Sequence, residues 1–353
     1  MKVINVGILG FGKGAQIYNA PIIQSVKGFN LKKGKTNNPT SVDYAKEHFP
    51  EMEVVSTDDD ILDDADIQLV IIVTSNTSHF SLAKAALEKG KNVIVDKPFT
   101  ITTAEADELI ALANEKHLML TVHQNRRFDG DFQTLHKLLE SNKLGNIATF
   151  EIHFDRFRNE PKLNAWREED IPGSGVLYDL GAHIFDQAVQ LFGLPQSIMG
   201  DVFCQRKFSK AVDAFNVIWK YDSGLRIVLT ASMLVAQDMP HYVLNGDNGS
   251  YVKYGMDPQE DALRTGEKPS ENPNWGVENP ANYGKLVYFD KNKKVEEVVP
   301  TEIGDYRLFY QNIYDHLTDG AQLKVQASES RNIIRLIELA MQSTAENKWI
   351  NWF

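Results

Sequence analysis

Three short stretches of this sequence combine residue types and spacings that can do chemistry. The apolar run Ile4–Leu9 leads into Gly10-Phe11-Gly12-Lys13-Gly14-Ala15, a Gly-x-Gly-x-x-Ala pattern. In that pattern the first glycine permits a tight turn and the second lets backbone approach a pyrophosphate. The small third residue lets a helix pack closely on a strand. Asp96-Lys97-Pro98 follows Val93-Ile94-Val95, which places an ammonium at a strand tip, where open parallel sheets bind ligands. Gly175, Asp179 and His183 recur at a spacing of four, which on an α-helix puts them on one ridge. A histidine near a carboxylate and a lysine titrates close to neutral pH, as a general base should. Hydride transfer from an alcohol needs a base for the hydroxyl proton, a donor for the developing oxyanion and a fixed orientation. Lys97, Asp179 and His183 supply those types at the reacting carbon.

The elements that must position them fall into two regimes. Over residues 1–123, short β-branched runs (Ile4–Leu9, Leu31–Thr36, Leu69–Thr74, Asn92–Lys97, Leu118–Val122, and a weaker one at Val54-Val55) alternate with helical patterns. Leu69-Val70-Ile71-Ile72-Val73 is apolar on both faces, as in a central parallel strand. The alternation predicts a doubly wound, Rossmann-type α/β domain that binds a dinucleotide. Thr102 or Thr103 caps the helix that runs to Glu115, and Pro21 makes the first helix kink or begin late. Residues 124–353 read instead as an α+β domain with a large, mainly antiparallel sheet. Its clearest strands are Ile147–Arg158, Ser197–Arg206, Val212–Tyr221 and Leu225–Val235, the last two joined by Asp222-Ser223-Gly224. Phe215, Val217, Trp219, Tyr221, Leu225, Ile227, Leu229 and Met233 form one apolar face. Ile218, Val228 and Leu234 make the other half-apolar, which predicts burial against another subunit. Asp257–Gly284 reads as a long functional loop, a lid or a subunit-spanning segment. Helices return at Tyr306–Thr318 and Ser328–Asn347, the second expected near the domain junction.

Bulk composition narrows the classes. The net charge of -11 argues against nucleic acid or an anionic membrane as partner. No apolar run approaches a membrane span, and the start of the chain does not read as a signal peptide. The single cysteine, Cys204, excludes an intrachain disulfide and fits the cytoplasm; it reads as a strand residue rather than a reactive thiol. Nine histidines without ligand spacing give no metal site, and no Gly-x-Ser-x-Gly elbow suggests a hydrolase. The second strand ends Lys33-Gly34-Lys35-Thr36-Asn37-Asn38, without the acid that would hold the ribose diol of NAD. Its hydroxyl, amide and ammonium groups favour NADP, with NAD as the permissive alternative.

Taken together, these residues resemble the glucose–fructose oxidoreductase / inositol dehydrogenase family. That family carries Glu-Lys-Pro after its fifth strand and Asp-x-x-x-His on a helix of its second domain; here Asp96 replaces the glutamate. Thr74-Ser75-Asn76-Thr77-Ser78-His79 is similar to its Thr-Pro-x-x-x-His segment, with Ser75 in place of proline. The likeness spans nearly the whole chain. Asn125-Arg126-Arg127-Phe128-Asp129, Trp166-Arg167-Glu168, Leu177-Tyr178-Asp179-Leu180-Gly181, Lys253-Tyr254-Gly255, Gln259–Arg264 and Tyr283–Leu286 are similar to its NADP-dependent scyllo-inositol dehydrogenases. The resemblance implies that Lys97 binds and polarises the substrate hydroxyl, that His183 is the acid/base, and that Asp179 orients the substrate or His183. It implies a cofactor site of Gly10, Phe11, Gly12, Gly14, Ala15, Thr36, Asn37, Asn38, Thr74, Ser75, Asn76, His79 and Lys97. Arg127, Trp166, Arg167, Tyr178 and Tyr283 are the expected polyol contacts, since polyols bind through charged donors and aromatic faces. A homodimer or homotetramer built on the second-domain sheet is implied as well. Two rival readings stay open: an aldose or other polyol dehydrogenase, and a nicotinamide-binding sensor without catalysis.

Overall fold

The structure, a computed structural model, describes residues 2–162 and 165–353. The chain divides into two compact units. The first comprises Met1–Asn125, Gln259–Trp275 and Asp305–Asn332; the second comprises Arg126–Pro258, Gly276–Gly304 and Ile333–Phe353. A single cut at 123/124 assigns the two inserted stretches to the second domain, whereas here they pack with the first.

The first unit is built on six parallel strands: β1 (Ile4–Leu9), β2 (Phe29–Lys35), β3 (Glu53–Val55), β4 (Leu69–Ile72), β5 (Asn92–Asp96) and β6 (Leu120–His123). They lie in the order β3-β2-β1-β4-β5-β6, the doubly wound order of dinucleotide-binding sheets. All four β4 residues are buried, as a strand covered on both faces requires. After Gly12 a six-residue helix, Lys13–Tyr18, stops at Asn19, and a second, Ala20–Gln24, restarts with Pro21 in its first turn. Proline needs no amide donor there, so the chain breaks the helix rather than straining it. The helix Thr103–Glu115 opens on a reciprocal capping box between Thr102 and Glu105.

The inserted stretches are ordered parts of this unit. The helix Arg307–Asp319 places Tyr310 Oη 2.6 Å from Asn19 Oδ1 and Tyr314 Oη 2.8 Å from the Lys2 carbonyl. Asp257–Gly284 is therefore not one structureless loop. It contains the helix Gln259–Arg264, and buried Trp275 donates to Gln259 Oε1 at 2.9 Å. That carboxamide oxygen also accepts from the Tyr306 amide at 2.8 Å.

The second unit carries a nine-stranded sheet. Its strands are β7 (Ile147–His153), β8 (Ser197–Phe203), β9 (Ala214–Lys220), β10 (Arg226–Ser232), β11 (Tyr242–Gly246), β12 (Gly249–Lys253), β13 (Gly284–Asp290), β14 (Lys293–Val299) and β15 (Ile350–Asn351). The order is β14-β13-β12-β11-β7-β10-β9-β8-β15, antiparallel except where β7 meets β10. Phe215, Val217, Trp219, Ile227 and Leu229 have no exposed surface and form the inner face. The helix Ala182–Phe192 covers it, with the Phe185 ring 5.2 Å from Trp219 and 6.0 Å from Phe215. On the other face Ile218 and Val228 are half-buried and Leu234 is exposed.

Candidate active site

In the first unit the turn after β1 has the shape its glycines suggest. Gly10 has φ +90, and a Cβ there would lie 2.4 Å from the Val73 carbonyl and 2.7 Å from Thr74 Cγ2. No side chain fits that position. At Gly14 a Cβ would touch Val73 at 3.0 Å, and Ala15 is fully buried, so small residues let the helix close on the sheet. At Gly12 a Cβ would meet nothing within 4 Å. The protein's own packing does not demand glycine there, and the open space leaves the backbone accessible to a pyrophosphate. Phe11 is buried and its amide donates to the Lys35 carbonyl at 2.8 Å, which ties this turn to the tip of β2. These features fit a dinucleotide.

The tip of β2 is ordered by its own hydrogen bonds. Asn38 Oδ1 accepts from the Ser41 amide and caps the helix Pro39–His48, and Asn37 Nδ2 donates to the Ser56 carbonyl at 3.1 Å. The two lysines differ. Lys33 Nζ lies 2.9 Å from Asp64 Oδ2 and 2.9 Å from the Asp60 carbonyl. Hydrogen bonding from Lys33 holds the Asp64 carboxyl far below the usual range. Lys33 is thus committed to the protein, whereas Lys35 is paired at 3.1 Å with half-exposed Asp58.

After β4, Ser75 has φ -68, the value a proline would fix, so serine replaces the family proline without moving the chain. Ser78 Oγ donates to Thr74 Oγ1 at 2.8 Å, and Asn76 begins a single 3-10 turn. Buried His79 places Nδ1 2.8 Å from the Pro98 carbonyl, which joins this segment to the end of β5. There Lys97 leads into Pro98 through a cis peptide. Asp96 Oδ1 accepts from the Lys97 amide at 2.9 Å and lies 3.7 Å from Nδ1 of buried His123. Burial opposes its charge, but hydrogen bonding from His123, with the charges of His123, Lys97 and His79, keeps the carboxyl below its usual range. Asp96 is therefore a support that fixes the strand end carrying Lys97. His123, which sequence reasoning missed, had only its place at the end of β6 to signal it.

In the second unit the Gly175–Asp179–His183 spacing takes an unexpected form. Gly175 precedes the helix with φ +78, and a Cβ there would lie 2.6 Å from the Val212 carbonyl. Leu177–Gly181 is a π-helical turn, and the α-helix begins at Ala182. Bonds to the fifth residue widen a turn, so a spacing of four falls short of a full revolution. The three positions do not form a single α-helical ridge; π turns of this kind occur often at functional sites. His183 is buried, while the Asp179 carboxylate keeps 24% of its surface exposed.

The expected polyol contacts separate. Arg167 Nε lies 3.6 Å from Asp179 Oδ1, and its guanidinium stacks 4.4 Å from the Trp166 ring. The fold therefore brings Trp166, Arg167 and Asp179 together. Tyr178 is buried in the π turn and Tyr283 is half-buried at the start of β13. Arg127 is different: Nε donates to Asp186 Oδ2 at 2.8 Å and Nη2 to Oδ1 at 2.6 Å, in a buried bidentate pair. Its guanidinium is thus engaged by the Asp186 carboxylate.

Comparison with known proteins follows the same division of the chain. Residues 4–124 match the family model "Oxidoreductase family, NAD-binding Rossmann fold", and residues 136–352 match "Oxidoreductase family, C-terminal alpha/beta domain". The scyllo-inositol 2-dehydrogenase (NADP(+)) IolW of Bacillus subtilis is 38% identical over 99% of this chain and 96% of its own. The "Uncharacterized oxidoreductase YdgJ" of Escherichia coli is 42% identical over 96% of each chain. A solved structure of yvaA from Bacillus subtilis superposes with a TM-score of 0.95 at 37% identity, covering 99% of this chain and 98% of that one. A dinucleotide cradle of the form described, in a domain matched as NAD-binding, makes the cofactor NADP or NAD. The chain belongs to the GFO/IDH/MocA oxidoreductase family.

Proposed function

We propose that this protein interconverts a secondary alcohol of a cyclic polyol or sugar and the corresponding ketone, with scyllo-inositol and scyllo-inose as the first choice and NADP(H) as the cofactor. The observation that carries this reading is Lys97 at the carboxyl end of β5, in the same parallel sheet whose β1 turn is shaped for a dinucleotide. Ligands of such sheets bind at that end of the strands. The 38% identity to a scyllo-inositol dehydrogenase over 99% of the chain supports the choice of polyol.

A bound nicotinamide would supply the acceptor for the hydride that leaves the carbinol carbon. The remaining work falls to side chains. His183 takes the hydroxyl proton as the C–O bond gains double-bond character, and returns it in the reverse direction. Lys97 donates to the oxygen as negative charge develops on it. Asp179 orients the substrate or His183, and Arg167 with Trp166 offers a charged donor beside an aromatic face to the remaining hydroxyls. Lys35, with Thr36, Asn37 and Asn38, would meet a 2′-phosphate. The half-apolar outer face of the nine-stranded sheet would meet a second copy, giving a homodimer or homotetramer, and the lone exposed thiol of Cys204 suits the cytoplasm.

The test is absorbance of the reduced nicotinamide while the protein meets scyllo-inositol, myo-inositol, glucose or xylose with NAD or NADP. Turnover with scyllo-inositol and NADP is the expected result. Turnover with glucose or xylose alone keeps the roles and changes the substrate to an aldose. Tight cofactor binding with no turnover replaces the enzyme by a sensor.

A further inference from the structure

The second unit contains a buried ion cluster that the reaction above does not use. Arg206, just beyond β8, has 2% of its side chain exposed and Asp213, just before β9, has none. Arg206 Nε donates to Asp213 Oδ2 at 2.7 Å, Nη2 donates to Glu168 Oε2 at 2.6 Å, and Nη1 reaches the Arg158 carbonyl at 3.3 Å. Asp213 also accepts from the backbone amides of Gln205 and Arg206, and its carbonyl accepts from Met233 beyond β10. The Arg206–Asp213 pair is thus fixed to three strand ends.

Two pieces of the candidate substrate site hang from this point. The Val212 carbonyl accepts from the Val176 amide at 2.8 Å, where the π turn bearing Asp179 begins, and leaves room only for glycine at 175. Through Arg206, the same strand entrance holds Glu168, the last residue of the turn Trp166–Glu168 that carries Arg167. The Arg167–Asp179 pair is itself long, at 3.6 Å, with Arg167 half-exposed. An exposed pair of that geometry contributes little and cannot hold a loop in place. A charge-assisted bond to a buried guanidinium can.

We propose that Arg206 is a positioning residue for the substrate site: by gripping Glu168 from a base shared with Asp213, it sets the turn that presents Arg167 to Asp179. It touches no substrate and acts through Arg167. The inference rests on the role given to Asp179 and Arg167 under the proposed function. A built latch of this kind tunes substrate affinity through geometry alone, since small misplacements of orienting groups are costly.

The experiment compares Glu168→Gln, Arg167→Ala and the double variant, using the polyol of the panel above that the parent oxidises. Glu168→Gln removes the charge that strengthens the bond to Arg206 and leaves Arg206–Asp213 intact, so it avoids the folding risk of Arg206→Met. The expected result is a polyol KM raised about tenfold in Glu168→Gln, with kcat and the NADP KM within about twofold. Amides of residues 165–169 should exchange faster with solvent in that variant. In the Arg167→Ala background the same change should add less than about twofold, because residues acting as one unit are not additive. A lowered Tm with unchanged KM would reduce the cluster to a structural brace and overturn the proposal. So would KM effects that multiply in the double variant. If Arg167→Ala alone leaves KM and kcat at parent values, it is the role of Arg167 that fails. If the parent turns over no polyol, hydrogen exchange still decides: unchanged protection of 165–169 in Glu168→Gln overturns the latch.

Discussion

In the first unit the candidate residues are set by backbone geometry: φ +90 at Gly10, open space at Gly12, a Val73 contact at Gly14, and Ser75 in a proline-like conformation. The second is instead laced with ion pairs largely withdrawn from water: Arg127 with Asp186, Arg206 with Glu168 and Asp213, and Lys253 with Glu278. The difference tracks what each region must recognise. A pyrophosphate is met by main-chain amides, which glycine exposes and no side chain need supply. Polyol hydroxyls need side-chain donors held at fixed positions, and a buried bidentate guanidinium gives that rigidity at the cost of strong dependence on each partner. Substitutions in the first unit should therefore act on cofactor affinity with local effects. Those in the second should spread into stability.

The largest expected effect tests whether chemistry, rather than binding, sits at the end of β5. Lys97→Ala should lower kcat by about 10²–10⁴-fold, while fluorescence titration shows NADPH still bound. Retained turnover would remove Lys97 from the reaction. Next comes the second unit's dependence on its pairs. Arg127→Met leaves Asp186 charged and buried, and should cost about 3–5 kcal/mol in thermal unfolding. Arg127→Met with Asp186→Leu should recover most of that loss, since an apolar pair can replace a buried ion pair. If the single variant changes KM instead of Tm, Arg127 stays in the substrate set.

Two glycines sharpen the contrast within the first unit. Gly10→Ala forces a Cβ onto the Val73 carbonyl at positive φ, and should lower stability by about 1–3 kcal/mol. Gly12→Ala meets no protein atom, so its Tm should stay within about 0.5 kcal/mol of the parent. Its NADP affinity should still fall about tenfold, or about 1.4 kcal/mol. Equal effects at both positions in both measurements would mean that the turn is structural only.

The same contrast explains what could be read from the sequence. Strands β1 to β6 were legible because each is a short apolar run between turn signals, and the glycine pattern is a local constraint written in consecutive residues. The second sheet was legible at β7 to β10, where a buried face repeats every second residue. Strands β11 to β14 were not; β14 (Lys-Lys-Val-Glu-Glu-Val-Val), for one, is an edge strand with Val295 and Val299 half-buried and Val298 exposed. The hairpin turns around Asp247-Asn248 and Lys291-Asn292 carry no apolar signal. The four-residue spacing of Asp179 and His183 was legible, but the π turn was invisible, since nothing in Leu177–Gly181 distinguishes a five-residue bond from a four-residue one. The pairings of Arg127 and Arg206 were illegible for one reason. An arginine's partner, 59 positions away for Arg127 and 38 for Arg206 toward Glu168, is fixed only by the fold.

The smallest effect concerns a cluster in the second unit where charge is out of balance. Asp131, Asp257 and Glu278 are all buried near one ammonium, that of Lys253. Lys253 Nζ donates to Glu278 Oε1 at 2.8 Å, and Asp257 Oδ2 accepts from the Gly130 amide at 2.7 Å. Asp131 Oδ1 accepts from the Phe132 amide at 2.7 Å, while Oδ2 meets no hydrogen-bond donor among the described residues. Burial, then repulsion by Asp257 and Glu278 against the pull of Lys253, pushes the Asp131 carboxyl up to about 7. An unfolded aspartate titrates near 3.9, so the native state binds this proton more tightly than the unfolded chain. The resulting stabilisation is complete below about pH 4 and is lost as pH rises through about 7. Asp131→Asn is neutral at every pH and lacks that loss. Its Tm should lie closest to the parent's near pH 4 and rise above it progressively toward pH 8. A constant difference between the two proteins from pH 5 to pH 8 would show that Lys253 balances Asp131 fully. The second unit's ion pairs would then all be matched, including the one that looks overcharged.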